Sequence, residues 1–139
     1  MTGRHLLLYD GVCALCNGFV RFVLKHDRTG LFRFAPLQGE TAGRFLRKWG
    51  KTPELLDTVY VVRDTDTQAE AVSEHAQAVL LVLEEIGGLW KALSRLLGVL
   101  PSKVLDVFYD LVARRRYRWF GRYDACPLPP PENRDRFLP

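Results

Sequence analysis

Two cysteines three residues apart, in the run Tyr9-Asp10-Gly11-Val12-Cys13-Ala14-Leu15-Cys16-Asn17, are the residues of this sequence best suited to chemistry. The thiolate is the reactive form of cysteine. In the first turn of a helix it meets unpaired backbone N–H groups and the positive end of the dipole, which lower its pKa. Cys13 takes that position as a nucleophile. Cys16, one turn on and on the same face, is close enough to attack a mixed disulfide on Cys13 and act as the resolving thiol. Gly11 allows a tight turn that exposes Cys13 at a strand end, where α/β sheets bind ligands. Asp10 has two readings that do not exclude each other. It takes a proton from Cys16 during resolution if burial raises its pKa, or it fixes the turn by accepting backbone N–H groups. Val12 and Leu15 offer an apolar contact for a substrate, or face the core.

Two other uses of a cysteine pair stand beside redox exchange. Zinc needs four ligands, and here His5, His26 and His75 are scattered, Cys126 has no neighbouring cysteine, and His26 falls at the far end of the first helix. No metal is expected. Burial of two small apolar side chains is the plainer alternative.

The rest of the chain must position this pair. With 139 residues, 47% hydrophobic and 26% charged, it reads as a single soluble domain over residues 1–139, and disorder is excluded. The longest apolar runs, such as Ala78 to Leu83, are far too short to span a bilayer. Leu6-Leu7-Leu8-Tyr9 is too short for a signal-peptide core, so a cytoplasmic protein is expected, with its cysteines kept mainly as thiols. The net charge of +4 comes largely from the C-terminal third, where Arg114, Arg115, Arg116 and Arg118 precede Trp119-Phe120. Such a cluster suits a solvated last helical turn, or an acidic partner or membrane surface. No specific nucleic acid is expected, since no aromatic-and-glycine RNA-binding signature accompanies it.

Periodicity supplies the elements. Leu6 to Tyr9 is a strand buried on both faces, and Val12, Cys16, Phe19, Val20 and Val23 form a helical stripe ending near Lys25-His26. Leu31 to Ala35 is the next strand, ended by Pro36 and parallel to the first. A helix through Ala42, Phe45, Leu46 and Trp49 follows, then a strand at Val59 to Val62 and an antiparallel return at Ala69 to Val72. Ser73 with Glu74 caps a third helix with Ala76, Val79, Leu80, Leu83 and Ile86 inside. Helices at Leu89 to Leu97 and Ser102 to Trp119 complete the pattern, the last with Val104, Leu105, Phe108, Leu111 and Val112 on its inner face. The prolines after Cys126 demand an extended tail, which packs through Phe137 and Leu138. The prediction is an α/β fold of order β-α-β-α-β-β-α over about 5–88, with a helical extension and Pro-rich tail over about 89–139.

The stretch Asp10-Gly11-Val12-Cys13-Ala14-Leu15-Cys16 resembles the opening motif of the DCC family of predicted thiol-disulfide oxidoreductases. Phe34-Ala35-Pro36-Leu37-Gln38, Ser73-Glu74-His75-Ala76, and Tyr117-Arg118-Trp119-Phe120-Gly121 with Cys126 extend the likeness over nearly the whole chain. The resemblance implies a thioredoxin-like fold and reversible exchange by Cys13 and Cys16 without a bound cofactor. Thioredoxins place a cis-proline before the third strand to receive the substrate. In this chain Leu56-Asp57-Thr58-Val59-Tyr60 has no proline and Pro53 comes too early, so Thr58 takes the equivalent substrate-binding position. That departure favours a dedicated disulfide-containing protein or a low-molecular-weight thiol over a general range of protein substrates. Cys126 is either an extra resolving thiol or a small hydrophobe pinned to the core. A different class of function, a non-catalytic module docking through the basic C-terminal helix, is the alternative.

Overall fold

A computed structural model describes residues 5–27, 30–51, 59–65, 68–122 and 136–138. In chain order these form β1 (His5–Tyr9), α1 (Ala14–His26), β2 (Phe32–Pro36), α2 (Glu40–Lys48), β3 (Tyr60–Arg63), β4 (Ala71–Glu74), α3 (His75–Ile86), α4 (Gly88–Leu97) and α5 (Ser102–Phe120). The sheet order is β2-β1-β3-β4. β1 runs parallel to β2, with Leu7 opposite Phe34, and antiparallel to β3, with Leu7 opposite Val61. β4 returns antiparallel to β3. A mixed four-stranded sheet with a crossover helix between its two parallel strands is the α/β arrangement of a thioredoxin-like fold.

The sheet is buried on both faces, which is why β1 reads as an unbroken apolar run. Leu7, Tyr9, Phe32, Phe34 and Val61 pack one face against Val20 and Val23 of α1 and Ala78 and Val82 of α3. Leu6, Leu8, Ala35, Tyr60 and Val62 pack the other against Ala42, Phe45 and Leu46 of α2. With Cβ atoms alternating along each strand, neighbouring leucines serve opposite layers. Phe137 stacks on Phe34 with ring centroids 5.1 Å apart, and the Leu138 N–H donates to the Phe34 carbonyl at 2.7 Å, so this part of the tail packs as expected. The proline-rich stretch before it lies outside the described residues.

Two expectations need correction. Ser73 and Glu74 lie in β4, whose strand runs two residues further than its pattern suggested, and Glu74 holds the N-cap position of α3 without a side-chain capping bond. The chain turns straight from strand to helix at His75, whose φ of 59° is left-handed, so no loop and no side-chain cap intervene. The second correction concerns α5. Val104 and Leu111 are exposed, Phe108 and Val112 are exposed at the wall of an open cavity rather than packed into a core, and Arg116 is the buried residue of this helix. Among the described residues no helix is long and apolar enough to cross a membrane.

Candidate active site

β1 ends at Tyr9, and Asp10, Gly11 and Val12 turn the chain into α1. Cys13 is the N-cap of that helix rather than part of its first turn, and its Sγ accepts the Cys16 backbone N–H at 3.2 Å. A thiol here does what a serine or aspartate oxygen does at other helix starts, and it takes up one of the N–H groups that the helix leaves unpaired. Asn17, buried one turn in, fixes the bend by donating through Nδ2 to the carbonyls of Gly11 and Cys13, both at 2.9 Å.

Asp10 is the hub beneath this turn. Its Oδ1 accepts the Val12 N–H at 3.2 Å and Gln38 Nε2 at 2.7 Å, and Gln38 Oε1 in turn accepts the Gly11 N–H at 3.0 Å. Its Oδ2 accepts Arg116 Nη2 at 3.0 Å and the Tyr117 hydroxyl. Three parts of the chain, residues 10–13, the end of β2, and the end of α5, are thus tied to one buried carboxylate. Burial pushes the Asp10 pKa up, but the hydrogen bonds from Tyr117, Gln38, Arg116 and Val12 outweigh it and hold the carboxyl below its usual value. This is opposite to the shift that the proton-taking role requires, and it matches the turn-fixing one. Burial also opposes the charge on Arg116, yet the bond to Asp10 keeps the guanidinium protonated.

Arg116 therefore leaves the surface cluster in which its sequence neighbours placed it. Arg114, Arg115 and Arg118 are exposed, whereas Arg116 is buried against Asp10. Helical spacing explains the split, because the side chains on either side of an inward residue point away from the core. Gln38, Asn17 and Tyr117 were likewise given no role from sequence. Asn17 carried a signal, a polar amide on an otherwise apolar helix face, while Gln38 and Tyr117 stand in stretches that resemble the family but show no role until the fold brings them to Asp10.

The end of α5 also closes over the dithiol. Gly121, at a φ of 94° that strains any residue with a Cβ, turns the chain so that its carbonyl accepts the Ala14 N–H at 3.3 Å, and Arg122 forms a β-bridge with Cys13. Cys13 is 0% exposed as a result. The expectation that Gly11 presents this cysteine at the strand end is overturned, for Gly11 is itself buried, with its N–H and carbonyl bonded to Gln38 and Asn17. Cys16 is half-buried and, with Leu15, lines a cavity of about 370 Å³ between α1, α3 and α5; Val12 does not line it. Thr58 and Cys126 lie outside the described residues.

The two thiols are electrostatically unlike. Cys13 is lowered to about 6, first because the Cys16 thiol donates to it, with further help from the Cys16 N–H and the Arg116 charge, against burial and the Asp10 charge. Cys16 is raised, because its proton is held by Cys13 and burial disfavours a second anion beside the first. Above about pH 6 these shifts favour one proton, on Cys16, and one negative charge, on Cys13. Such a pair can lose two electrons to become a disulfide, or regain them.

Known proteins are similar to this chain in sequence. The uncharacterized protein YuxK of Bacillus subtilis (strain 168) is 37% identical over 136 residues, covering 98% of this chain and 95% of its own. A chloroplastic DCC family protein of Arabidopsis thaliana is 37% identical over 125 residues, covering 90% of this chain and 70% of its own. No solved structure matches significantly. Residues 7–122, from the middle of β1 to the bridge over Cys13, match the DCC1-like thiol-disulfide oxidoreductase family, and the chain belongs to that family.

Proposed function

We propose that the protein is a thiol-disulfide oxidoreductase that exchanges electrons with a protein or small-molecule disulfide through Cys13 and Cys16, without a bound cofactor. The observation that carries this reading is the Cys13 Sγ held on the Cys16 N–H at 3.2 Å at the start of α1, with both cysteines as free thiols one helical turn apart. A cysteine kept as thiolate near neutral pH beside a protonated partner is suited to exchange and has no use in a merely packed core. Asp10 serves as a positioning residue, holding the turn and Arg116. The compartment we assign is the cytoplasm, where the pair would be returned to the dithiol after each turnover. The test is turnover of a disulfide substrate by the wild type, Cys13→Ser and Cys16→Ser. Both variants are expected to lose at least about a hundredfold in multiple turnover, since neither can close the intramolecular disulfide. Retained turnover in either would overturn the reading.

Arg114, Arg115 and Arg118, exposed beside exposed Trp119 and Phe120, support a second reading as a dock for an acidic partner or membrane surface. In cells, Arg114→Glu/Arg118→Glu should then abolish function while Cys13→Ser/Cys16→Ser preserves it; the reverse pattern rejects docking as the primary role.

A further inference from the structure

The surroundings of the two sulfurs differ in a way that bears on which of them meets the substrate. Cys13 is closed in by the Gly121 and Arg122 backbone and has no exposed surface. Cys16 stands in the wall of the half-open cavity of about 370 Å³, among Leu15, Phe19, Val79, Leu105 and Val112. The charged residue in that wall, Arg116, is engaged with Asp10. A volume of this size belongs to the range of small-molecule sites, roughly 300–1,000 Å³. A ligand rich in charge would lose its hydration there and find few partners, whereas an alkyl or aryl group gains from burial.

We propose that the oxidised Cys13–Cys16 pair takes electrons at Cys16, rather than at the buried Cys13 to which the sequence assigns contact with the substrate, from a small apolar thiol seated in this cavity. The proposal rests on the thiol-disulfide reading above and adds to it the substrate class and the point of entry. The thiolate of the first apolar thiol attacks Cys16 Sγ, a new S–S bond forms there, and the Cys13–Cys16 bond breaks with Cys13 leaving as thiolate. A second thiolate attacks the substrate sulfur of that mixed disulfide and releases the substrate as its symmetric disulfide, while Cys16 leaves and takes up a proton. Two thiols are oxidised and one protein disulfide is reduced. The order of bond breaking suits the geometry, because Cys13 leaves as a thiolate whose Sγ keeps the Cys16 N–H at 3.2 Å and the nearby Arg116 charge even when Cys16 has no proton to give.

The test follows the reduction of the oxidised wild-type protein by ethanethiol, butanethiol, hexanethiol and glutathione, with rates corrected for thiolate fraction. Burying a methylene is worth about fourfold, so hexanethiol is expected to outrun ethanethiol by roughly tenfold or more, with glutathione slowest. Val112→Arg, at the exposed rim of the cavity, should flatten the alkyl series. A flat series in the wild type, or glutathione faster than hexanethiol, overturns the proposal. A second measurement locates the entry point without the disulfide. Relative to free mercaptoethanol, hexyl methanethiosulfonate should label Cys16 in Cys13→Ser about tenfold faster than the charged sulfonatoethyl reagent does. Labelling of Cys13 in Cys16→Ser should show no such preference, and equal preference at both sites overturns the assignment to Cys16. A wild type that never forms the Cys13–Cys16 disulfide defeats the thiol-disulfide reading and this proposal together. One that forms it but reacts with all four thiols at matched rates defeats the cavity alone.

Discussion

The two ends of α5 obey opposite rules. At its C-terminal end, Arg116, Tyr117 and Gly121 are bonded into the turn that carries the dithiol, through Asp10 and Ala14. Along its earlier turns the apolar side chains meet no such closure, with Val107 67% and Phe108 63% exposed. α4 is similar, with Leu89 88% and Leu96 68% exposed. One region holds reacting atoms in fixed positions, and the other leaves open the space next to them. A redox site needs both, since exchange requires sulfurs held within bonding reach and a route for the second molecule.

The largest effect is expected where the closed region is broken. Arg116→Met leaves Asp10 buried without its cation, so unfolding in urea should show a loss of about 3–5 kcal/mol, partly recovered when Asp10→Asn is added. The same variant should raise the Cys13 pKa, read by thiolate absorbance, because the Arg116 charge helps to lower it. A change within experimental error would reduce Arg116 to a surface residue and erase the contrast between the two ends of the helix.

How far this contrast could be read from sequence depends on where the signals lie. The dithiol, its strand-to-helix setting and the parallel pairing of β1 with β2 were legible, because each is written in contiguous residues or in a period. The partner of Asp10 was not, since it lies 106 residues away and nothing local separates one arginine from its neighbours in Arg114-Arg115-Arg116. The apolar stripe of α5 was legible as a stripe, but a cavity wall and a core face have the same period. The start of α3 was misread because Ser73-Glu74 has the chemistry of a cap, while the left-handed turn at His75 carries no signature in its residue type.

Effects of pH should be intermediate in size. The Asp10 pKa is lowered, so its contribution to stability is present above the unfolded carboxylate value of about 4 and is lost as pH falls through the folded value. Cys13 is lowered from 9.0 to about 6, so its contribution in the reduced protein is full above pH 9 and is lost as pH falls through about 6. Urea midpoints of reduced wild type minus those of Cys13→Ser should therefore rise between pH 6 and 9, as the Cys13 shift requires. A flat difference would mean that Cys13 titrates as an ordinary thiol. The smallest effect belongs to the open region: Val107→Ser should change stability by no more than about 0.5 kcal/mol, because its side chain is already in water. A loss of several times that would show the outer face of α5 to be covered in solution.

The central claim is tested most directly by equilibrating the wild-type protein with glutathione couples of graded potential and counting its free thiols by alkylation and mass. The expected result is a reversible two-electron transition between the dithiol and a Cys13–Cys16 disulfide, with a midpoint that shifts by roughly 30 mV per pH unit above pH 6, where one proton accompanies two electrons. Two cysteines that stay as thiols across the series, or that collect glutathione without ever pairing, would contradict it.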